Sequence, residues 1–381
     1  MRIIVAPDSY KGSLTAIDVA DAIARGLLKV FPEAEVIKVP IADGGEGTVA
    51  ALVAATGGRI IYTEVSGPFS EKVNAGWGIL GDGKSAVIEM AAASGLTLIA
   101  KEDRNPCITT TYGTGQLIKK ALDMGLRKLI VCIGGSGTND GGAGLAQALG
   151  VKFLDSNNHE LPQGGGALIN LAAINMTNLD SRLPETKIIV ACDVDNPLCG
   201  IRGASVVFGP QKGATSIMVE ELDEALQKYQ KIVSRAVGKD VAEIPGAGAA
   251  GGLGAGLMFF TPAKLKSGIK IVIEASGLEE KIKNADLVIT GEGCTDFQTV
   301  FGKAPVGIAK LARKFRVPVV CLSGSFGNGY QDVLQCGIDA LMNILPRPME
   351  KEKCMEEAKI LTEEAAVRLG LLLRVGIRMK I

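Results

Sequence analysis

Short apolar runs recur along the chain, each followed by a loop of Gly with Asp, Asn, Ser or Glu and then by an apolar segment of helical period. Ile3 to Pro7 leads into DSYKGS and Val36 to Pro40 into IADGGEG, while Leu129 to Ile133 meets GGSGTNDGG, Ile188 to Cys192 meets DVDNPLCG and Leu287 to Ile289 meets TGEG. Runs apolar on both faces that alternate with helices predict parallel strands, because crossover helices cover both faces of such a sheet. The pattern predicts an α/β fold. Ile17, Ala20, Ala24, Leu27 and Leu28 make one stripe of a first helix, capped by Ser13 or Thr15, with Asp18 at capping-box spacing from Thr15. Arg25 and Lys29 lie towards its end, where cations suit the helix dipole.

The alternation breaks over residues 60–90. Ile60 to Val65 and Val73 to Leu80 read as strands, Gly81 to Gly83 as a turn and Ser85 to Met90 as a further strand, together an antiparallel meander. Strand and helix alternate again from about Lys283, through Leu287 to Ile289, Val317 to Leu322 and Ile338 to Ile344, and the chain closes on a Glu/Lys-rich helix from about Glu350. The expectation is an α/β domain built from both chain ends, 1–62 and 285–381, with a mixed α/β domain, 63–284, inserted in it and the active-site cleft between the two. Leu129 to Ile133 fits either sheet.

Composition narrows the partners. The 381 residues hold 41 Lys and Arg against 41 Asp and Glu, so no net field draws the protein to nucleic acid or to an anionic membrane, and small ligands are expected instead. Eight cysteines include no C-x-x-C pair, and Cys132, Cys192 and Cys321 sit in apolar runs, as in a reducing compartment. The start reads directly into a strand, and no apolar stretch reaches the roughly 18 residues that a membrane span needs. A soluble cytoplasmic protein is the expectation.

Two motifs mislead. Gly78 to Ser85, GILGDGKS, satisfies the phosphate-loop pattern G-x-x-x-x-G-K-[ST], yet a working phosphate loop needs a helix after it, and AVIEM reads as strand. A hairpin turn with Lys84 making no phosphate contact is expected. Gly246 to Gly251, GAGAAG, matches the dinucleotide fingerprint but follows EIP instead of a buried strand, and packing of a helix start is the favoured reading over an anion site.

A set of acidic residues after the predicted strands carries more. Asp8 follows the first, Asp43 and Glu46 the second, Asn139 and Asp140 the Gly134-Gly135 turn, Asp193 and Asp195 follow Cys192, and Glu292 and Asp296 follow Ile289. In doubly wound sheets ligands bind outside the carboxyl ends of the strands, so these side chains are placed to converge. Oxygen ligands beside Gly-rich backbone suit Mg²⁺. The single histidine, His159, lies in the polar run DSNNHE, which argues against histidine-based zinc sites and Ser-His-Asp chemistry. Carboxylates with metal and phosphate fit phosphoryl transfer.

The segments APDSYKGSLTA, PIADGGEGT, IEMAAASGL, TTTYGTGQLI, IGGSGTNDGGAG, ACDVDNPLCG, FGPQKGA, PGAGAAGGLGAG and GEGCTDFQTVFGKAP stand in the order seen in bacterial-type, class I glycerate 2-kinases, which the chain resembles end to end. The resemblance implies ATP- and Mg²⁺-dependent phosphorylation of D-glycerate at the 2-hydroxyl by a monomer or homodimer. It also implies a Rossmann- or flavodoxin-like domain with an inserted domain of restriction-endonuclease-like topology. On that basis Asp193 is the first choice for general base and Asp195 the second. Asp8, Lys11, Asp43, Glu46 and Lys303 are expected to bind substrate, Gly134, Gly135, Ser136, Thr138, Asn139 and Lys212 the nucleotide phosphates, and Asp140, Glu292 and Asp296 the metal. The family's GEGR is GEGC here, so Cys294 replaces a guanidinium, and Gln116 stands where Glu is expected. A catalytically degenerate protein that binds glycerate or nucleotide without turnover, for which Cys294 is the one support, is the alternative, and a dinucleotide-dependent oxidoreductase, resting on GAGAAG alone, is the weakest.

Overall fold

The predicted alternation becomes two sheets. In the computed structural model, which describes residues 1–379, the described chain divides into one unit of 1–43, 50–57 and 269–379, and another of 44–49 and 58–268.

The first unit holds five parallel strands in the order Ala340–Asn343, Val319–Ser323, Leu287–Gly291, Arg2–Pro7, Glu35–Lys38. Counted in chain order within the unit this is 2-1-3-4-5, and the order reverses between Arg2–Pro7 and Leu287–Gly291. Both of these strands are almost wholly buried, as continuous apolar runs with helices over both faces should be. Helix Ala16–Val30 starts at Thr15, whose hydroxyl oxygen accepts from the Asp18 N–H, so Thr15 and not Ser13 is the cap. Its apolar face meets helix Ala358–Arg378 so closely that a β-carbon on Gly26 would lie 2.3 Å from the Glu363 carbonyl oxygen. Arg25 and Lys29 both pair with the Glu363 carboxylate, at 2.7 and 2.6 Å.

The second unit contains a six-stranded sheet ordered Lys264–Lys266, Lys187–Ala191, Lys128–Cys132, Ser85–Glu89, Lys72–Ile79, Arg59–Ser66. The first four run parallel, and the last two add the antiparallel meander. Strand Lys128–Cys132 thus belongs to this sheet. Trp77 is fully buried in its core. The turn after Lys72–Ile79 is closed by Asp82, whose carboxylate accepts from the N–H groups of Lys84 and Ser85 at 2.9 and 2.8 Å, and Ser85 then opens a strand. GILGDGKS is a hairpin.

The GAGAAGGLGAG segment forms the start of helix Ala249–Phe260, interrupted by left-handed backbone at Ala250, Gly251 and Gly252. Its glycines allow contact with the loop of 138–142: a β-carbon on Gly251 would lie 2.0 Å from the Thr138 carbonyl oxygen, and one on Gly256 2.5 Å from that of Gly141. Close packing is its role. Among the described residues no helix is long and apolar enough to cross a membrane, and all eight cysteines are free thiols.

Candidate active site

In the first unit the parallel register pairs Pro7 with Gly291, so Asp8 and Glu292 leave neighbouring strands side by side at the point where the strand order reverses. The Asp8 N–H donates to the Gly291 carbonyl at 2.8 Å, which locks the two loop starts together. Burial first, and then the Asp43 and Glu292 carboxylates, push Asp8 up to about 7. Asp43 itself is exposed.

Glu292 is buried and firmly oriented. Its Oε1 accepts from Thr299 Oγ1 at 2.7 Å and from Thr295 Oγ1 at 3.4 Å, and Oε2 faces Lys303 Nζ at 3.5 Å. Burial raises its pKa against the opposing pull of Thr299 and Lys303. Behind it Thr295 Oγ1 and Ser323 Oγ lie 2.7 Å apart, so a chain of hydroxyls backs the carboxylate. Asp296 caps the short turn Phe297–Phe301, accepting from the Gln298 N–H at 2.8 Å, and its Oδ1 stands 3.9 Å from Lys303 Nζ. Lys303 therefore lies between two carboxylates. Lys11 is exposed, with its backbone against Gly293, and Cys294 is exposed in the two-residue strand Cys294–Thr295.

The second unit presents the other group. The loop after strand Lys128–Cys132 takes left-handed backbone at Gly135, Gly141 and Gly142, conformations that a side chain would strain. A β-carbon on Gly134 would stand 3.0 Å from the Gly45 α-carbon. Ser136 bridges to Gly95, while Thr138, Asn139 and Asp140 are wholly buried. Asn139 Nδ2 donates to Ser205 Oγ at 2.9 Å and Thr109 Oγ1 to the Gly137 carbonyl at 2.9 Å. Asp140 accepts from the Thr111 N–H and hydroxyl and from the N–H groups of Gly142 and Gly144, all between 2.8 and 3.2 Å. A carboxylate so enclosed is an anchor for its loop, and burial raises its pKa in spite of those bonds. Lys212 is also buried, with Nζ donating to the Thr138 carbonyl at 2.7 Å, and burial lowers its pKa to about 7.

Asp193 and Asp195 are exposed. Both oxygens of Asp193 accept from the Gly268 N–H, at 3.1 and 3.2 Å, where helix Gly268–Ser276 begins. Asp195 pairs with Arg202 at 3.1 Å in solvent. Glu46 is exposed, and its charge raises the pKa of Glu89, which burial lifts most. Glu89 Oε1 accepts from the Val49 N–H at 2.6 Å. Lys84 lies in the exposed hairpin turn and His159 in an exposed one.

Glu89, Thr111, Thr295, Thr299 and Ser323 were not singled out from the sequence. Signals existed for three of them: Thr295 and Thr299 stand three and seven residues after Glu292, and Thr111 ends a run of three threonines that are all buried. Among the described residues no three His, Cys, Asp or Glu side chains are gathered to hold a metal ion.

The comparisons with known proteins give the context for these loops. The chain is 53% identical over 366 residues to a glycerate kinase of Bacillus subtilis (strain 168), covering 96% of each. It is 54% identical over 345 residues to the glycerate 2-kinase of Escherichia coli (strain K12), covering 91% of each. A crystal structure assigned to glycerate kinase 2 of Salmonella typhimurium LT2 superposes with a TM-score of 0.91 at 47% identity, covering 99% of both chains. The family model described as the glycerate kinase family matches residues 3–374, and the chain belongs to that family.

Proposed function

We propose that the protein phosphorylates D-glycerate at the 2-hydroxyl with ATP and Mg²⁺, giving 2-phosphoglycerate, in the cytoplasm. As a member of its family it is a phosphotransferase with an alcohol group as acceptor. The observation that carries the finer reading is the Pro7–Gly291 register, which sets Asp8 and Glu292 together at the reversal of a doubly wound sheet, where ligands of such folds bind. The relative of Escherichia coli bearing the name glycerate 2-kinase supports the regiochemistry.

Phosphoryl transfer asks a protein for positioning and charge neutralisation more than for covalent chemistry. Asp43, Glu46, Lys11 and Lys303 are the proposed contacts for the glycerate hydroxyls and carboxylate. Gly134, Gly135, Ser136, Thr138 and Asn139 form the proposed cradle for nucleotide phosphate. Glu292 and Asp296 are the residues that would hold Mg²⁺; they offer hard oxygen donors, and the Lys303 ammonium, 3.5 and 3.9 Å from them, shows that a cation is already drawn to the pair. The bound ion supplies charge neutralisation to the phosphates. Asp140, assigned to the metal from sequence, is reassigned as an anchor because its oxygens are already engaged by loop donors.

Two carboxylates compete for the role of base. Asp193 is the choice made from sequence, and both of its oxygens are held by the Gly268 N–H. Asp8, lifted to about 7, is better matched to taking a hydroxyl proton near neutral pH. Turnover of the wild-type enzyme with ATP and D-glycerate should require Mg²⁺ and stop with a chelator. Loss of about 10²-fold in kcat for Asp8→Asn, with a smaller loss for Asp193→Asn, assigns the base to Asp8; the reverse order returns it to Asp193. Nucleotide binding without any turnover would instead establish the degenerate binding protein, for which Cys294 in place of an arginine is the one support.

A further inference from the structure

A buried lysine that binds only backbone is costly, because desolvation opposes its charge and an apolar side chain would fill the same space without that penalty. Lys212 is close to that case: it is 1% exposed, its Nζ donates to the Thr138 carbonyl at 2.7 Å, and the attraction of the buried Asp140 charge offsets only part of the desolvation. The loop that it grips has little hold of its own at that point. Thr138 Oγ1 and Asn139 Oδ1 are buried without a hydrogen-bond partner among the described residues, so neither atom fixes the Thr138–Asn139 peptide. From outside the loop, Lys212 holds the Thr138 carbonyl of that peptide, while Ser205 Oγ accepts from the Asn139 side-chain Nδ2.

Neighbouring contacts explain why the grip matters. One residue on, Asp140 is enclosed by Thr111, Gly142 and Gly144; beyond it, Tyr229 donates to the Gly141 carbonyl at 3.0 Å, and the Gly141 N–H donates to the Gly251 carbonyl. The far end of the loop is thus bolted down, and Lys212 extends that hold back to Thr138. A peptide whose carbonyl is drawn inwards turns the amide that follows it the opposite way, because the two groups are antiparallel across a planar trans bond.

We propose that Lys212 is a positioning residue that never touches phosphate: by drawing the Thr138 carbonyl into the core it sets the loop's amide groups for the nucleotide. This rests on the assignment of the loop of 134–139 to nucleotide phosphate. It differs from the expectation drawn from sequence, in which Lys212 meets the phosphate as a point charge.

Two measurements test it, each on the full-length enzyme. In amine footprinting with an acylating reagent read by mass spectrometry, Lys212 should stay unmodified both with and without ATP. Modification in the free enzyme that ATP suppresses would overturn the proposal in favour of direct phosphate contact. In steady-state kinetics Lys212→Met should lose about tenfold or more in kcat/KM for ATP while the KM for glycerate stays within about twofold. Phe153→Leu, a change in the same unit's apolar core, serves as the destabilised comparison and should lower Tm with both KM values kept. If Lys212→Met behaves like Phe153→Leu, Lys212 only fills space and the proposal fails. Absence of any ATP-dependent turnover in the wild-type enzyme would sink the functional reading instead, which the first assay distinguishes because it reads burial alone.

Discussion

Asp8 concentrates the tension of the site in one side chain. Its folded pKa lies near 7 against an ordinary 3.8, so between those values the native state binds the proton that the unfolded chain releases. Stability therefore falls as pH rises from about 4 to 7, and the full deficit is present above 7. Asp8→Asn removes it. The metal-free variant should be more stable than wild type at pH 8 by about 1–2 kcal/mol, allowing for the partial exposure of the carboxyl, and the difference should vanish near pH 4. Thermal melts at the two pH values check this; equal gains at both would mean that Asp8 is not repelled in the fold. The same charge explains an activity that should rise with pH through about 7 in kcat/KM if Asp8 is the base, and that rise should be absent in the Asn variant.

Among the elements, the glycine-rich stretches divide into turns and packing surfaces, and a pattern match does not tell which is which. Lys84 sits in a turn closed by Asp82, so Lys84→Ala should leave the KM for ATP unchanged; a rise of about tenfold would restore the phosphate-loop reading of GILGDGKS. Gly256 faces the loop of 138–142, and the β-carbon of Gly256→Ala would press on the Gly141 carbonyl oxygen at 2.5 Å. A loss of about 1–3 kcal/mol is expected by denaturant unfolding, together with a fall in activity as the loop shifts; unchanged stability would show that the helix can move away without cost. Strand polarity, the first helix with its cap narrowed to Ser13 or Thr15, and the meander were legible because each depends on residues a few positions apart. The burial of Lys212 and the enclosure of Asp140 by Thr111 were not. These depend on residues 74 and 29 positions away along the chain, so a lysine beside glycines read as a phosphate contact and an aspartate in a loop read as a metal ligand.

Over the whole molecule, two structural units each carry one group of candidate residues: carboxylates and Lys303 at the reversal of the five-stranded sheet, and a buried, anchored glycine loop beside the six-stranded one. The order 2-1-3-4-5 was not readable from the sequence, since the chain between the second and third strands of that sheet is more than 240 residues long and periodicity does not say where it returns. What the sequence did carry was the acidic residue after each strand, and the fold places two of them together: Asp8 and Glu292 follow equivalent positions on paired strands. The most direct test of the proposed activity is identification of the product by NMR after incubation of the protein with D-glycerate, ATP and Mg²⁺. The account predicts 2-phosphoglycerate formed in equal amount with ADP; 3-phosphoglycerate, or bound ATP and glycerate with no product, would contradict it.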